Sequence, residues 1–187
     1  NIIPVTLELG GKSPNIFFSS VMDHDDAYLD KAVEGAVLFA LNQGEICTCP
    51  SRLLIQESIY DKFIEKVVAR VNAIKAGNPL DTSTMIGAQA SKIQYDKILN
   101  YINLGKEEGA EVLTGGEANH LKGEIENGYY IKPTLLKGHN KMRVFQEEIF
   151  GPVLTVYIYE DEKWEETLKL VDETSPYSLT GSVFAQD

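Results

Sequence analysis

Apolar residues fall along this chain in short runs and in stretches of helical spacing, and the alternation of the two predicts its elements. Val5-Thr6-Leu7-Glu8-Leu9 reads as a strand, and Asn15-Ile16-Phe17-Phe18 as a short apolar strand. From Asp30, the residues Val33, Ala36, Val37, Ala40 and Leu41 recur at helical spacing. Arg52-Leu53-Leu54-Ile55-Gln56 predicts a strand. Ser58 is the expected N-cap of the next helix, with Asp61 completing an imperfect capping box. That helix carries Ile59, Phe63, Val67 and Val71 on one stripe and stops at Gly77, with Pro79 following.

Residues 78–87 read as a loop. A third helix is expected over 90–108, with Ile98, Tyr101 and Ile102 inward and Gly109 ending it. Glu111-Val112-Leu113-Thr114 predicts a strand closed by Gly115-Gly116, and 120–128 is a polar surface excursion. Strands are expected over 129–136 and 153–159, a helix over 161–172, and a strand over 180–185. Strands alternating with helices predict an α/β fold: a layered, mostly parallel twisted sheet with helices on both faces. The polar excursion followed by a strand suggests an antiparallel addition.

Composition narrows the function. The 187 residues suit one compact domain, with 43% hydrophobic and 24% charged residues as in ordinary globular proteins. A net charge of −11 with no basic run argues against nucleic acid as a partner. No stretch is apolar for the roughly 18 residues that a membrane span needs, so no membrane partner is expected. The chain opens on Asn1-Ile2-Ile3-Pro4, which is not a signal peptide. With no Met at the start and a strand-like stretch at each end, both ends read as cut from a longer polypeptide. Two cysteines cannot build a disulfide scaffold, which suits a cytoplasmic protein.

Both cysteines lie in Gly44-Glu45-Ile46-Cys47-Thr48-Cys49-Pro50. A zinc site needs three or four ligands, and His24, His120 and His139 lack metal-like spacing, so no metal is expected. A disulfide between residues i and i+2 closes a strained ring. Two inert buried thiols are the plain alternative. Against it stands the setting: an amphipathic helix ends near Leu41, a turn Asn42-Gln43-Gly44 follows, and Cys47 sits in a loop ahead of a strand. Loop N–H groups beside such a thiol can lower its pKa and hold an oxyanion.

The run Asn42-Gln43-Gly44-Glu45-Ile46-Cys47 resembles the cysteine signature of the NAD(P)-dependent aldehyde dehydrogenase superfamily, with Cys47 on the nucleophile position and Cys49 off it. Leu7-Glu8-Leu9-Gly10-Gly11-Lys12-Ser13-Pro14 resembles the family's glutamate signature, and Glu147-Glu148-Ile149-Phe150-Gly151-Pro152-Val153 a third landmark. Asn78-Pro79-Leu80-Asp81 also resembles a family turn. Gln94 and Lys97 match places that approach the cofactor ribose in relatives, though a plain surface-helix role suits both better. The acidic loop from Ser20 to Asp26, Glu45 and the Cys-Thr-Cys run look most like a bacterial subgroup acting on short aliphatic aldehydes.

The resemblance implies Cys47 as nucleophile and Glu8 as the base for hydrolysis. It implies Glu148 on the nicotinamide ribose hydroxyls and Phe150 bordering the nicotinamide, with Leu9 and Gly10 as further cofactor contacts. It implies NAD or NADP as cofactor, a small-molecule aldehyde as substrate and a homo-oligomer for the full-length enzyme. No Gly-rich dinucleotide fingerprint follows a strand here. Residues 1–187 thus correspond to the catalytic domain, without the N-terminal cofactor-binding domain and the C-terminal oligomerisation part. The chain alone is expected neither to bind the cofactor nor to turn over. Relatives that transfer the acyl group to coenzyme A or phosphate generally lack the glutamate at the Glu8 position; a catalytically silent α/β module is the remaining alternative.

Overall fold

The computed structural model describes residues 2–186. Its strands are β1 (Ser13–Phe17), β2 (Pro50–Gln56), β3 (Glu111–Thr114), β4 (Thr134–Lys137), β5 (Val153–Tyr159) and β6 (Ser182–Phe184). Its α-helices are α1 (Ala27–Val37), α2 (Tyr60–Asn72), α3 (Lys92–Glu107), the single turn α4 (Arg143–Gln146) and α5 (Trp164–Glu173). The strands form one sheet in the order β3-β4-β5-β2-β1-β6. β6, β1, β2, β5 and β4 pair in parallel, and β3 adds antiparallel to β4.

A central parallel strand is buried on both faces, so its apolar residues run continuously. β2 does this: Leu53 and Ile55 face α1 and α2, while Leu54 faces the opposite layer with Ile16 and Tyr159. On that second face α5 covers β1 and β2, and α3 with α4 covers β4 and β5 through Ile98, Ile102, Val144 and Phe145. The expected α/β fold with helices on both faces is the observed one. Phe17 fills the first core, stacked on Phe184 at 4.4 Å between ring centroids and tilted against Phe63 at 4.8 Å.

The bounds of β3 and β5 match the sequence expectation, and several others shift for physical reasons. α1 starts at Ala27, three residues before the expected Asp30, because the Asp26 carboxylate accepts from the Tyr28 and Leu29 N–H groups at 2.9 and 3.1 Å. It gives way at Leu38 to a tighter 3₁₀ segment. Ser58 is not a cap: α2 is entered through a 3₁₀ turn at Glu57–Ile59, and the Ser58 N–H donates to Asp161 instead. The expected strand over 129–136 shortens to β4, since Pro133 cannot donate to a ladder.

The expected strand at Val5–Leu9 does not form. Residues 2–9 are exposed and carry no strand ladder.

Replacing Phe17 with Ala leaves a cavity between two packed rings. We expect a loss of about 3–5 kcal/mol in urea denaturation, and a loss below 1 kcal/mol would overturn this placing of the core.

Candidate active site

Three segments remote in sequence meet because each runs directly into one of three adjacent parallel strands. Gly10-Gly11-Lys12 leads into β1, the Cys47 turn into β2, and Glu148 to Pro152 into β5. β2 lies between β5 and β1, with Ser13 opposite Pro50 and Arg52 opposite Thr155. Cys47 therefore stands at the amino ends of the strands, beside the glycine pair and Glu148. Gly11, Lys12, Cys47, Ser51, Glu148 and Phe150 share the wall of a crevice of about 20 Å³, room for one water.

The turn that presents Cys47 is held in an uncommon conformation. Asn42, Gln43 and Gly44 have φ of 48°, 58° and 74°, three successive left-handed residues. Only glycine fits the last of them, because a Cβ on Gly44 would lie 2.2 Å from the Gly151 carbonyl. Side chains pin the turn to the segment ahead of α3. The Gly87 N–H donates to Gln43 Oε1 at 3.0 Å, the Ala90 N–H to Glu45 Oε1 at 3.0 Å, and Gln89 Nε2 to the Gln43 carbonyl at 3.3 Å. Cys47 follows, half-buried, inside a turn closed by the Cys49 N–H on the Ile46 carbonyl at 3.1 Å.

Glu148 sits against the glycine pair. The Gly11 N–H donates to Glu148 Oε1 at 2.9 Å, and a Cβ on Gly10 would come within 2.5 Å of Oε2. Phe150 has φ of 60°, and Gln94 on α3 donates to its carbonyl and to that of Ile149. The neighbouring Glu147 faces away from the crevice. Its acidity is raised, first by hydrogen bonds from Arg143 and then by Tyr101.

The two thiols are free and differ in surroundings. Cys49 Sγ lies 3.7 and 3.8 Å from the Leu38 and Leu41 carbonyls, to which it donates. Burial pushes its pKa up to about 11, so it stays a protonated thiol at neutral pH.

Sequence pattern did not single out Lys12 or Arg52, yet both are buried at this site. Arg52 Nε donates to the Lys12 carbonyl at 2.8 Å and Nη1 to the Val171 carbonyl at 3.0 Å. Lys12 is 1% exposed. Burial, then the Arg52 charge, lowers its pKa from 10.5 to about 7, with Glu148 and Glu147 opposing and Lys97 adding to the fall. The hydroxyls of Ser13 and Ser51 are buried without a partner among the described residues. The only sequence signal for Lys12 is a charge where the chain enters a buried strand.

Of the expected site residues, the fold brings together Cys47, Gly10, Glu148 and Phe150. Glu8 and Leu9 lie outside this cluster, on the exposed segment before the glycines, with Leu9 66% exposed. Among the described residues, no group of three or more His, Cys, Asp or Glu could hold a metal ion, and no helix is long and apolar enough to cross a membrane.

A thiol loop, a carboxylate pinned on a glycine pair and a left-handed Phe all lie ahead of parallel strands. The chain belongs to the aldehyde dehydrogenase family, whose model it matches over residues 1–187. It is 63% identical over 187 residues to Acetaldehyde dehydrogenase 2 of Cupriavidus necator and 59% identical to Aldehyde dehydrogenase B of Escherichia coli. Both matches take in 100% of this chain and 36% of the relative, so the chain spans about a third of the curated relatives' length. It is similar to the crystal structure of betaine aldehyde dehydrogenase from Staphylococcus aureus in complex with NAD+. That match has a TM-score of 0.86 and 37% identity, over 96% of this chain and 34% of that one. The aldehyde dehydrogenase KauB from Pseudomonas aeruginosa gives 0.84 and 41%, again over 96% and 34%.

Lys12 sets a pH test. Its folded pKa lies below the unfolded one, so between about pH 7 and 10.5 the unfolded chain holds the extra proton and stability rises with pH. The neutral Lys12→Met variant should exceed wild type in urea midpoint by on the order of 1 M at pH 6.5 and lose most of that lead by pH 10. A lead independent of pH would refute the buried ammonium.

Proposed function

We propose that this chain is the catalytic segment of an NAD(P)-dependent enzyme that oxidises an aldehyde to a carboxylic acid through a thioester on Cys47. The observation that carries it is the meeting of Cys47 and Glu148 in one crevice, ahead of two adjacent strands and lined as well by Gly11 of the glycine pair. Family membership and the NAD+ complex of the Staphylococcus aureus relative support it.

The Cys47 thiolate attacks the aldehyde carbon and forms a C–S bond, leaving the carbonyl oxygen as an oxyanion. The Cys47 N–H has no hydrogen-bond partner among the described residues, which leaves it able to donate to that oxyanion. The nicotinamide, when bound, supplies the acceptor for the hydride that leaves the same carbon. What remains on Cys47 is a thioester. Glu8 takes a proton from water, the hydroxide adds to the thioester carbon, and the C–S bond breaks to give the acid and the thiol. Glu8 is tethered three residues from Gly11, whose Cα is packed on the Cys47 carbonyl, a reach of roughly 10 Å for extended chain.

The residues present fit a nicotinamide riboside. Glu148 has one oxygen fixed by the Gly11 N–H and lone pairs left for two ribose hydroxyls, and Gly10 keeps the carboxylate face open where any side chain would fill it. Phe150, with its backbone carbonyl held by Gln94, borders the ring. Leu9 completes the approach from the β1 side. The adenosine half of the cofactor then requires a domain outside these 187 residues, as do the oligomer contacts of the full-length enzyme. A pair of free thiols suits the cytoplasm.

In the full-length enzyme, Cys47→Ala should abolish aldehyde-dependent reduction of the cofactor. Glu8→Gln should keep a first turnover of one equivalent of reduced cofactor per Cys47 and lose steady-state turnover by roughly 100-fold or more, as expected for a lost general base. Retained turnover in Cys47→Ala would end this mechanism. The 187-residue chain by itself should show no aldehyde oxidation with either cofactor; measurable turnover would show that it needs no further domain.

A further inference from the structure

Cys47 is presented by a turn that is intrinsically unfavourable. Left-handed backbone costs a non-glycine residue on the order of 1 kcal/mol or more, and Asn42 and Gln43 both adopt it. Asn tolerates that region better than most residues, whereas Gln has no such excuse. Gln43 therefore needs something outside the turn to hold it.

The segment from Gly87 to Ala90 provides that hold at three points. Gln43 Oε1 accepts from the Gly87 N–H at 3.0 Å, the Gln43 carbonyl from Gln89 Nε2 at 3.3 Å, and Glu45 Oε1 from the Ala90 N–H at 3.0 Å. Gln89 is itself 4% exposed and anchored by its N–H on the Tyr129 carbonyl at 2.9 Å. Immediately downstream, Gln94 holds the Ile149 and Phe150 carbonyls. One stretch of chain, 87–94, thus grips the nucleophile turn and the Glu148–Phe150 loop together.

We propose that Gln43 and Glu45 are positioning residues that lock the nucleophile turn onto the 87–90 segment, and so fix where Cys47 stands relative to Glu148 and Phe150. This rests on the function proposed above. The acceptor atom matters at Glu45 more than its charge, because the partner is a neutral backbone N–H.

The test compares Gln43→Gly, Glu45→Ala and Glu45→Gln in the full-length enzyme. Glycine at 43 removes the side-chain bond to the Gly87 N–H while relieving the backbone, so a folding defect does not mimic the effect. Gln43→Gly and Glu45→Ala should lower kcat by roughly 10- to 100-fold, the scale of a small displacement of a reacting group, with both KM values within about threefold. Glu45→Gln keeps an acceptor and should restore kcat to within about threefold of wild type, and Gln43→Gly should melt no lower than wild type.

Wild-type kcat in both Gln43→Gly and Glu45→Ala would overturn the proposal. So would a Glu45→Gln variant as slow as Glu45→Ala. If wild-type enzyme oxidises no aldehyde, the proposed function falls, and iodoacetamide decides the grip independently. Between pH 7 and 9 the protonated Cys49 is slow, and peptide mass mapping follows alkylation at Cys47 itself. A displaced rate-against-pH profile in Gln43→Gly and Glu45→Ala supports the grip, and profiles that superimpose on wild type overturn it.

Discussion

The connection from α1 to the central strand β2 is the constraint on which this site depends. The chain must leave a helix, reverse and enter the middle of a parallel sheet, and it does so through three successive left-handed residues. Such a turn is stable only when its surroundings over-determine it. Here the Gly151 backbone closes one side of Gly44, and the hydrogen bonds to Gln43 and Glu45 close the other. Backbone of the loop that enters β5 and of the α3 entrance therefore converges on this turn. The thiol comes next in the chain, and its location is a property of that convergence more than of any contact it makes itself.

Ligand sites of open α/β sheets usually lie beyond the carboxyl ends of the strands. The candidate site here lies at the amino ends of β1, β2 and β5, because each motif is the loop that enters a strand. Parallel pairing then does the assembly. Strands starting at one level bring their preceding residues to one line, and the central place of β2 puts Cys47 beside its neighbours' loops. The buried Lys12 and Arg52 lie just inside that line, separated from solvent, with Arg52 held by backbone carbonyls and the Glu148 and Glu147 charges partly offsetting the burial of Lys12.

Much of this was legible in the sequence where local pattern and final environment agree. β5 is a continuous apolar run buried on both faces, and β3 is bracketed by glycines, so their ends could be read directly. Val5 to Leu9 shows the opposite case. Its composition is that of a strand, but a strand also needs a neighbour's backbone, and none of the described residues supplies one. Ser58 has the right side chain for a cap, but Asp161, remote in sequence, takes its N–H. At the candidate site, Cys47, Gly10, Glu148 and Phe150, singled out by motif, are brought together by the fold, whereas Glu8 and Leu9, singled out the same way, lie outside the cluster, since no local pattern says where an exposed segment rests. Gln43 and Glu45 were visible as parts of the turn and the cysteine signature, but their partners were not, because these lie forty or more residues away. Lys12 was invisible to periodicity, which counts a lysine as surface.

The exposed segment before the glycines has a colloidal consequence. Ile3, Val5, Leu7 and Leu9 present apolar side chains to water on backbone that forms no ladder, a template for strand addition by a second copy. Pro4 interrupts that template, and the net charge of −11 makes approaching copies repel one another. Added salt screens the repulsion within about 10 Å at 0.1 M and leaves the apolar attraction intact. Raising the ionic strength would then shorten the time that a concentrated solution of this chain stays clear.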